Sequence, residues 1–172
     1  AAVANALGRS RDPTHAEKLW CARDDCDARV RREIALALGA LGAARGVALL
    51  IPLLGSTETA FEAATLLGSL GDQSAIAPLA SLAARLLTPL TVRAAAAGAL
   101  VRLGDPRGAR TLRSVLRAWR RDGRAHAIEI VAELRVAELA PELARLVRRS
   151  RGASRDRLER ALARVATEGG FE

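Results

Sequence analysis

A local sequence pattern recurs along the chain about every thirty-one residues. In its clearest copies a leucine-rich run ends on a glycine, as in ALGALG, LLGSLGD and ALVRLGD. This final position, here called the anchor, recurs at intervals of 31, 29, 33, 31 and 31 residues. Such regular self-similarity predicts a stacked array of small repeated units. The six anchors are Arg11, Gly42, Gly71, Gly104, Arg135 and Ala166.

Apolar residues flank the anchors at helical spacing. Leucine or valine stands four residues before every anchor, and leucine stands eight residues after every anchor except the last. Spacings of three and four residues on both sides predict two amphipathic helices per repeat. We expect first helices near 1–9, 27–40, 57–69, 89–102, 123–134 and 153–167, and second helices near 13–24, 44–54, 73–86, 106–121 and 138–149.

Glycine at an anchor followed by aspartate is typical of one helix ending and another beginning. Glycine adopts a positive φ without a Cβ clash, so it ends a helix readily. Asp72 follows Gly71, while Asp12 and Asp105 each precede a proline. Aspartate accepts bonds from free amides at a helix start, where proline lacks only an N–H that has no partner. Each anchor is therefore predicted to be a tight turn between two helices.

The pattern resembles HEAT-like repeats of the short type named after phycobilisome lyases. DARVRREIALALGALG (27–42) and TVRAAAAGALVRLGDPRGARTL (91–112) carry the resemblance most clearly. It implies an all-α, right-handed α-solenoid (superhelix) of about five to six helical hairpins, with second helices on the concave side. We expect one repeat domain over residues 1–172. The apolar start AAVANALG and the absence of methionine predict a fragment of a longer array.

The resemblance also implies a ladder of arginines that bond acids in neighbouring repeats. The ladder position lies eleven residues before the anchor, and alanine (Ala60) replaces arginine there in the third repeat. These arginines are interpreted as structural. They are Arg31, Arg93, Arg124 and Arg155.

The positive charge is concentrated in the second half of the chain. Residues 1–86 carry nine basic and nine acidic side chains, so the formal net charge of +8 arises entirely from residues 87–172.

At 100° per residue, the segment 106–121 predicts an apolar arc opposite a basic face. The predicted arc is Leu112, Val115, Leu116 and Trp119. The basic face is Arg107, Arg110, Arg113, Arg117, Arg120 and Arg121, and the next second helix adds Arg145, Arg148 and Arg149.

Two interpretations of these arginine rows stay open. Guanidinium groups bind carboxylates and phosphates in pairs of bonds, so the rows fit an acidic protein segment or a nucleic-acid backbone. The alternative is a solvated face in an arginine-rich chain. The absence of tyrosine and the expected burial of Trp119 argue against base stacking.

The first half contains a helix that is apolar almost all round. In ARGVALLIPLL only the arginine is charged. Such helices are normally covered by neighbouring elements, although a groove for a partner helix or a second copy of the chain is the alternative. Its lining would be Val47, Leu50, Ile51 and Leu54.

The sequence favours binding over catalysis. Cys21, Cys26 and His15 match no zinc spacing, so we expect no metal or other cofactor and interpret the thiols as buried or inert. The predicted function is a non-catalytic, cytoplasmic protein–protein scaffold with no membrane partner. The first alternative is nucleic-acid binding through the basic half. The second is a bilin-lyase-like or other HEAT-repeat enzyme subunit, which the resemblance permits.

Overall fold

The computed structural model describes residues 2–10, 12, 14–119 and 121–166, and their regular secondary structure is helical throughout. First helices alternate with second helices, and several second helices begin with a short 3₁₀ turn. The first helices are α1 (Ala2–Arg9), α3 (Ala28–Ala40), α5 (Ala60–Leu70), α7 (Leu90–Arg102), α9 (Arg121–Glu133) and α11 (Ala153–Ala166). The second helices are α2 (His15–Cys21), α4 (Val47–Leu50), α6 (Ile76–Ala84), α8 (Pro106–Arg117) and α10 (Ala140–Arg149). The 3₁₀ turns are Ala44–Gly46, Ile51–Gly55, Gln73–Ala75 and Ala137–Leu139.

The chain divides into two compact units, residues 1–79 and 80–172. In the first unit, α3 packs against α1 on one side and α5 on the other. Its core contains Leu19, Ile34 and Leu38, which come from both helix types. Burial of these leucine and isoleucine side chains stabilises the unit, each fully buried one by roughly 1.5–3 kcal/mol.

The second unit repeats this arrangement with longer helices. First helices α7, α9 and α11 pack in succession, and α8 packs closely on α7. The anchor-plus-eight leucines Leu112 and Leu143 are fully buried in one cluster with Val115, Leu116 and Val131. One face of each second helix is thereby committed to the core, so its opposite face meets solvent.

The predicted turns are confirmed at four of the six anchors, while Arg11 lies outside the described residues and Ala166 is the last residue of α11. Gly42, Gly71 and Gly104 have φ of 73°, 74° and 76°, and the non-glycine anchor Arg135 also has a positive φ of 50°. Asp105 follows its anchor as the N-cap of α8 and accepts a hydrogen bond from the Arg107 amide at 2.9 Å. The helix stop, turn and helix start therefore lie where the sequence predicts them.

The predicted arginine ladder is wrong in its partners. Arg31 donates to the backbone carbonyl oxygens of Asp25 and Cys26 at 2.6 and 3.1 Å, and Arg93 donates to that of Ala83 at 3.1 Å. These arginines lie near the starts of their helices, facing the connector or helix end that precedes them, where backbone carbonyls lack helical partners. Their role is therefore structural, but it satisfies carbonyl groups rather than acids.

The ladder positions of the fifth and sixth repeats differ again. Arg155 bonds Glu159 one turn along its own helix at 2.7 Å, and Arg124 lines a pocket described below. Ion pairs between successive first helices occur at other positions, where Arg32 reaches Glu58 at 3.0 Å and Arg102 reaches Glu133. The repeat-to-repeat charge pairing exists, but not at the position that the resemblance implied.

The prediction that the thiols are buried or inert is wrong as to burial. Cys21 ends α2 and Cys26 lies in the connector before α3, and both are exposed. Neither occupies one of the core-facing positions of its repeat. None of the described helices is long and apolar enough to cross a membrane.

We expect Gly104→Ala to destabilise the protein and Gly55→Ala to leave its stability nearly unchanged. Both glycines have open space around the position of an added Cβ, but only Gly104 has a positive φ. Left-handed backbone costs an L-residue about 1–2 kcal/mol, and this loss should appear in the free energy of unfolding measured with urea. Equal effects at the two positions would contradict the conformational explanation.

Candidate functional site: a basic pocket on three helices

The second unit contains an open pocket of about 580 Å³. It lies at the carboxyl end of α8, along α10 from its first turn to its carboxyl end, and beside the first turn of α9. Four of its eight lining residues are arginines. The lining residues are Leu116, Arg117, Arg124, Glu142, Arg145, Leu146, Arg149 and Ser150.

The amphipathic pattern of α8 and α10 positions these arginines. Leu116 is fully buried and its neighbour Arg117 turns 100° away from the core, with 61% of its side chain exposed. On α10, Arg145 and Arg149 lie four residues apart and so project from the same side of the helix. Packing of the apolar stripe therefore orients guanidinium groups from two helices toward one space.

A single carboxylate bridges the two second helices. Glu142, on the first turn of α10, is only 8% exposed. Its Oε1 lies 2.9 Å from Nη2 of Arg117 and 3.2 Å from Nε of Arg113. A carboxylate in this position is stable because two guanidinium groups offset its loss of hydration. These two ion pairs connect α8 to α10 at the wall of the pocket.

The structure brings together only part of the predicted arginine rows. Arg117, Arg145 and Arg149 line the pocket, where Glu142 bonds both Arg117 and Arg113, whereas Arg107 lies outside it and bonds Asp105. Arg110 and Arg148 are exposed outside the pocket. Arg120 lies outside the described residues, and Arg121 is described only as the first backbone position of α9. The predicted arginine rows of α8 and α10 therefore come together at the pocket and do not form a continuous basic surface along both helices.

The predicted burial of Trp119 is wrong. Leu112, Val115 and Leu116 are buried as predicted, but Trp119 is 86% exposed. Helix α8 ends at Arg117, and Ala118 has an extended backbone with ψ of 146°, so the helical rotation that placed Trp119 on the apolar arc stops before it. An exposed indole consequently stands two residues beyond a pocket arginine.

The predicted apolar groove of the first unit does not appear as an open surface. Val47, Leu50 and Leu54 are 4%, 0% and 7% exposed, and Ile51 is only partly exposed. The 3₁₀ turns on both sides of α4 point these side chains into the unit's own core. A partner helix or second copy would meet little of this predicted lining.

Sequence comparisons agree with the repeat architecture. Residues 19–85 match a family model of HEAT repeats, and residues 92–118 match the model of the phycobilisome (PBS) lyase HEAT-like repeat. The chain therefore belongs to the HEAT-like repeat proteins, with repeats of the phycobilisome-lyase type. The comparison with curated protein sequences found no match.

A solved structure shares the fold. A chain from the complex of CpcE and CpcF of the phycocyanin lyase from Nostoc sp. PCC7120 aligns with a TM-score of 0.54 and 19% identity. The alignment covers 94% of this chain and 87% of that chain. The predicted all-α solenoid of helical hairpins is confirmed as the fold class.

Sequence reasoning missed two charged members of the pocket. Arg124 had been assigned to the structural ladder, and Glu142 had been left out of the charge pattern of 138–149. The sequence does contain a signal for Glu142. It lies seven residues after the anchor of its repeat, and Arg113 lies nine residues after the anchor of the preceding repeat. Adjacent second helices bring such positions together, so comparing charges across repeats would have found the pair.

The Asp105–Arg107 pair gives a measurable pH dependence. Hydrogen bonds from the Arg107 side chain and amide lower the pKa of Asp105 from 3.8 to about 2. The stabilisation by ionised Asp105 is thus complete above pH 3.8 and is lost as the pH falls toward 2.

Asp105→Asn keeps a capping side chain but removes the charge. We expect the urea midpoint of the wild type to fall more steeply between pH 4 and 2 than that of the variant. Parallel curves would contradict the assignment.

Proposed function

We propose that this chain is a non-catalytic scaffold that binds an acidic segment of a partner protein on the arginine rows of its second unit. The observation that carries the proposal is the convergence of Arg117, Arg124, Arg145 and Arg149 around one open pocket. Guanidinium groups stay charged at all physiological pH values and form paired bonds with carboxylates. A segment rich in glutamate or aspartate therefore complements this surface.

The pocket retains capacity for anions because its own carboxylate is already engaged. Glu142 is buried against Arg113 and Arg117, while Arg145 and Arg149 are exposed. The apolar atoms of Leu116 and Leu146 form part of the same lining. A peptide offers carboxylates for the guanidinium groups and aliphatic atoms for these leucines, which supports a protein partner.

The chemistry of the lining supports binding over catalysis. Arginine is a poor proton carrier, and Glu142 is occupied by two cations. The lyase structure that shares the fold is itself a complex of two proteins, CpcE and CpcF. A protein partner is consistent with that use of the architecture, whereas fold likeness alone transfers no activity.

We expect Arg145→Glu with Arg149→Glu to weaken binding of fluorescent poly-L-glutamate by at least about tenfold at low salt, because two attractive charges become repulsive. Fluorescence anisotropy provides the measurement. The matched control is Arg9→Glu with Arg29→Glu, which makes the same change in net charge at exposed positions of the first unit. Equal losses in both double variants would show a general charge effect and contradict a defined site.

A second candidate function, nucleic-acid binding, gains support from Trp119. The indole is 86% exposed and lies between Arg117 and the first turn of α9. Exposed aromatic rings beside guanidinium groups stack on unpaired bases, and Trp119 is such a ring.

We expect a nucleic-acid binder to lose single-stranded DNA affinity on Trp119→Ala by roughly 5- to 100-fold, the range for one stacked base. Its affinity should also fall with salt by about 0.7 log units per log unit for each phosphate contacted. Anisotropy titrations of an oligonucleotide at several salt concentrations measure both effects. Binding to poly-L-glutamate with no response of DNA to Trp119→Ala would leave the protein scaffold as the function.

A further inference from the structure

The connector between α6 and α7 carries two leucines that the fold does not use. Leu86 is 87% exposed and Leu87 is fully exposed. They are the central residues of a turn closed by a hydrogen bond from the Thr88 amide to the Arg85 carbonyl oxygen at 3.3 Å. Such positions are normally occupied by glycine, proline, asparagine, aspartate or serine. Two leucines there expose apolar surface without stabilising the turn.

This connector is also longer than the last connector of the second unit. It spans residues 85–89, whereas the connector after α10 spans 150–152. The two additional residues account for the 33-residue interval between Gly71 and Gly104. Arg93 fixes the base of the connector by its bond to the Ala83 carbonyl oxygen. The leucines thus project from a defined turn.

The helices that follow this turn and Trp119 in the chain, α7 and α9, pack against each other. Gly123 of α9 approaches Leu90 of α7 so closely that an added Cβ would lie 2.2 Å from the Leu90 Cβ. Leu87 is three residues before Leu90, and Trp119 is four residues before Gly123. Arg124, the next residue, already lines the pocket. We call the set of Leu86, Leu87 and Trp119 the apolar edge.

The surroundings of the apolar edge are mainly basic. Arg85 precedes the leucines, Arg117 precedes Trp119, and Arg151 is exposed on the next connector. Asp122, on the first turn of α9, is the exposed acid nearest to Trp119 in sequence. The pocket carboxylate Glu142 is paired. Projecting apolar side chains are therefore combined with an excess of positive charge.

We propose that the apolar edge binds the surface of an anionic lipid bilayer. Leucine and tryptophan side chains enter the boundary between headgroups and acyl chains, and nearby arginines bind the anionic headgroups. A bilayer needs no complementary pocket, which suits side chains that project from turns. Leucines do not stack on bases, so they favour lipid over nucleic acid. This inference does not rest on the proposed acidic protein partner.

The test uses sedimentation of the whole chain with vesicles. We expect binding to vesicles of phosphatidylcholine mixed with phosphatidylglycerol and much weaker binding to phosphatidylcholine alone, because each basic residue near an anionic surface adds about fivefold. Leu86→Ser with Leu87→Ser should lower the partition coefficient by at least about tenfold, since most of the inserted apolar surface is lost. The control is Val3→Ser, which changes an apolar residue that is 72% exposed in the first unit.

Tryptophan fluorescence provides an independent measurement. The chain has two tryptophans, and Trp20→Phe leaves Trp119 as the sole indole emitter. Insertion into a bilayer should shift the Trp119 emission to shorter wavelength with mixed vesicles. No vesicle binding, no shift, or binding that is unchanged by the two serine substitutions would overturn the proposal. Quenching by an oligonucleotide without vesicle binding would assign Trp119 to nucleic acid instead.

Discussion

The reversal of the chain at the anchors Gly42, Gly71, Gly104 and Arg135 is the constraint on which the rest of the structure depends. A residue with positive φ ends the first helix, and the following segment begins the second helix within a few residues. Gly104 and Asp105 make this reversal before α8, and Arg135 makes it before α10 despite its Cβ. Because the chain reverses at the same place in each of these repeats, Leu112 and Leu143, each eight residues after its anchor, are both fully buried in the core. The outward faces of α8 and α10, and hence their arginines, are then set by the 100° rotation of the helix.

This dependence explains what the sequence predicts well. Burial of an apolar stripe is a local property that repeats with the period, so helix order, turns and core positions follow from one pattern. The failures arise where a side chain's surroundings come from another repeat. Arg31 and Arg93 face backbone carbonyl groups of the segment before their own helix, which no charge pattern reveals. Glu142 becomes part of the site only because α8 and α10 are neighbours.

The prediction that Trp119 is buried was wrong for a different reason. That reason is the position in the repeat at which the next first helix begins. Helices α7 and α9 begin at Leu90 and Arg121, each fourteen residues before its anchor. A first helix that begins at Arg121 requires α8 to end a few residues earlier, so that the chain can reverse. The sequence prediction continued the second helix to residue 121. It therefore placed Trp119 on the apolar arc of a helix, although Trp119 lies in a connector. Connectors are the positions where a solenoid adds function without disturbing its core, and the second unit places its exposed large apolar residues there.

The pocket and the apolar edge share residues, and this limits how the two proposed surfaces operate together. Arg117 and Arg124 line the pocket and also stand beside Trp119 and the first turn of α9. Lipid headgroups at the edge and carboxylates in the pocket would draw on the same guanidinium groups. Arg117 already bonds Glu142, so Arg124 is the group for which the two anions would compete, and occupation of the edge would weaken the pocket and the reverse. Arg145 and Arg148, on the exposed side of α10, are not beside Trp119 in the chain and stay open to a protein partner in either case. A scaffold built in this way would bind its acidic partner less tightly at an anionic surface than away from it.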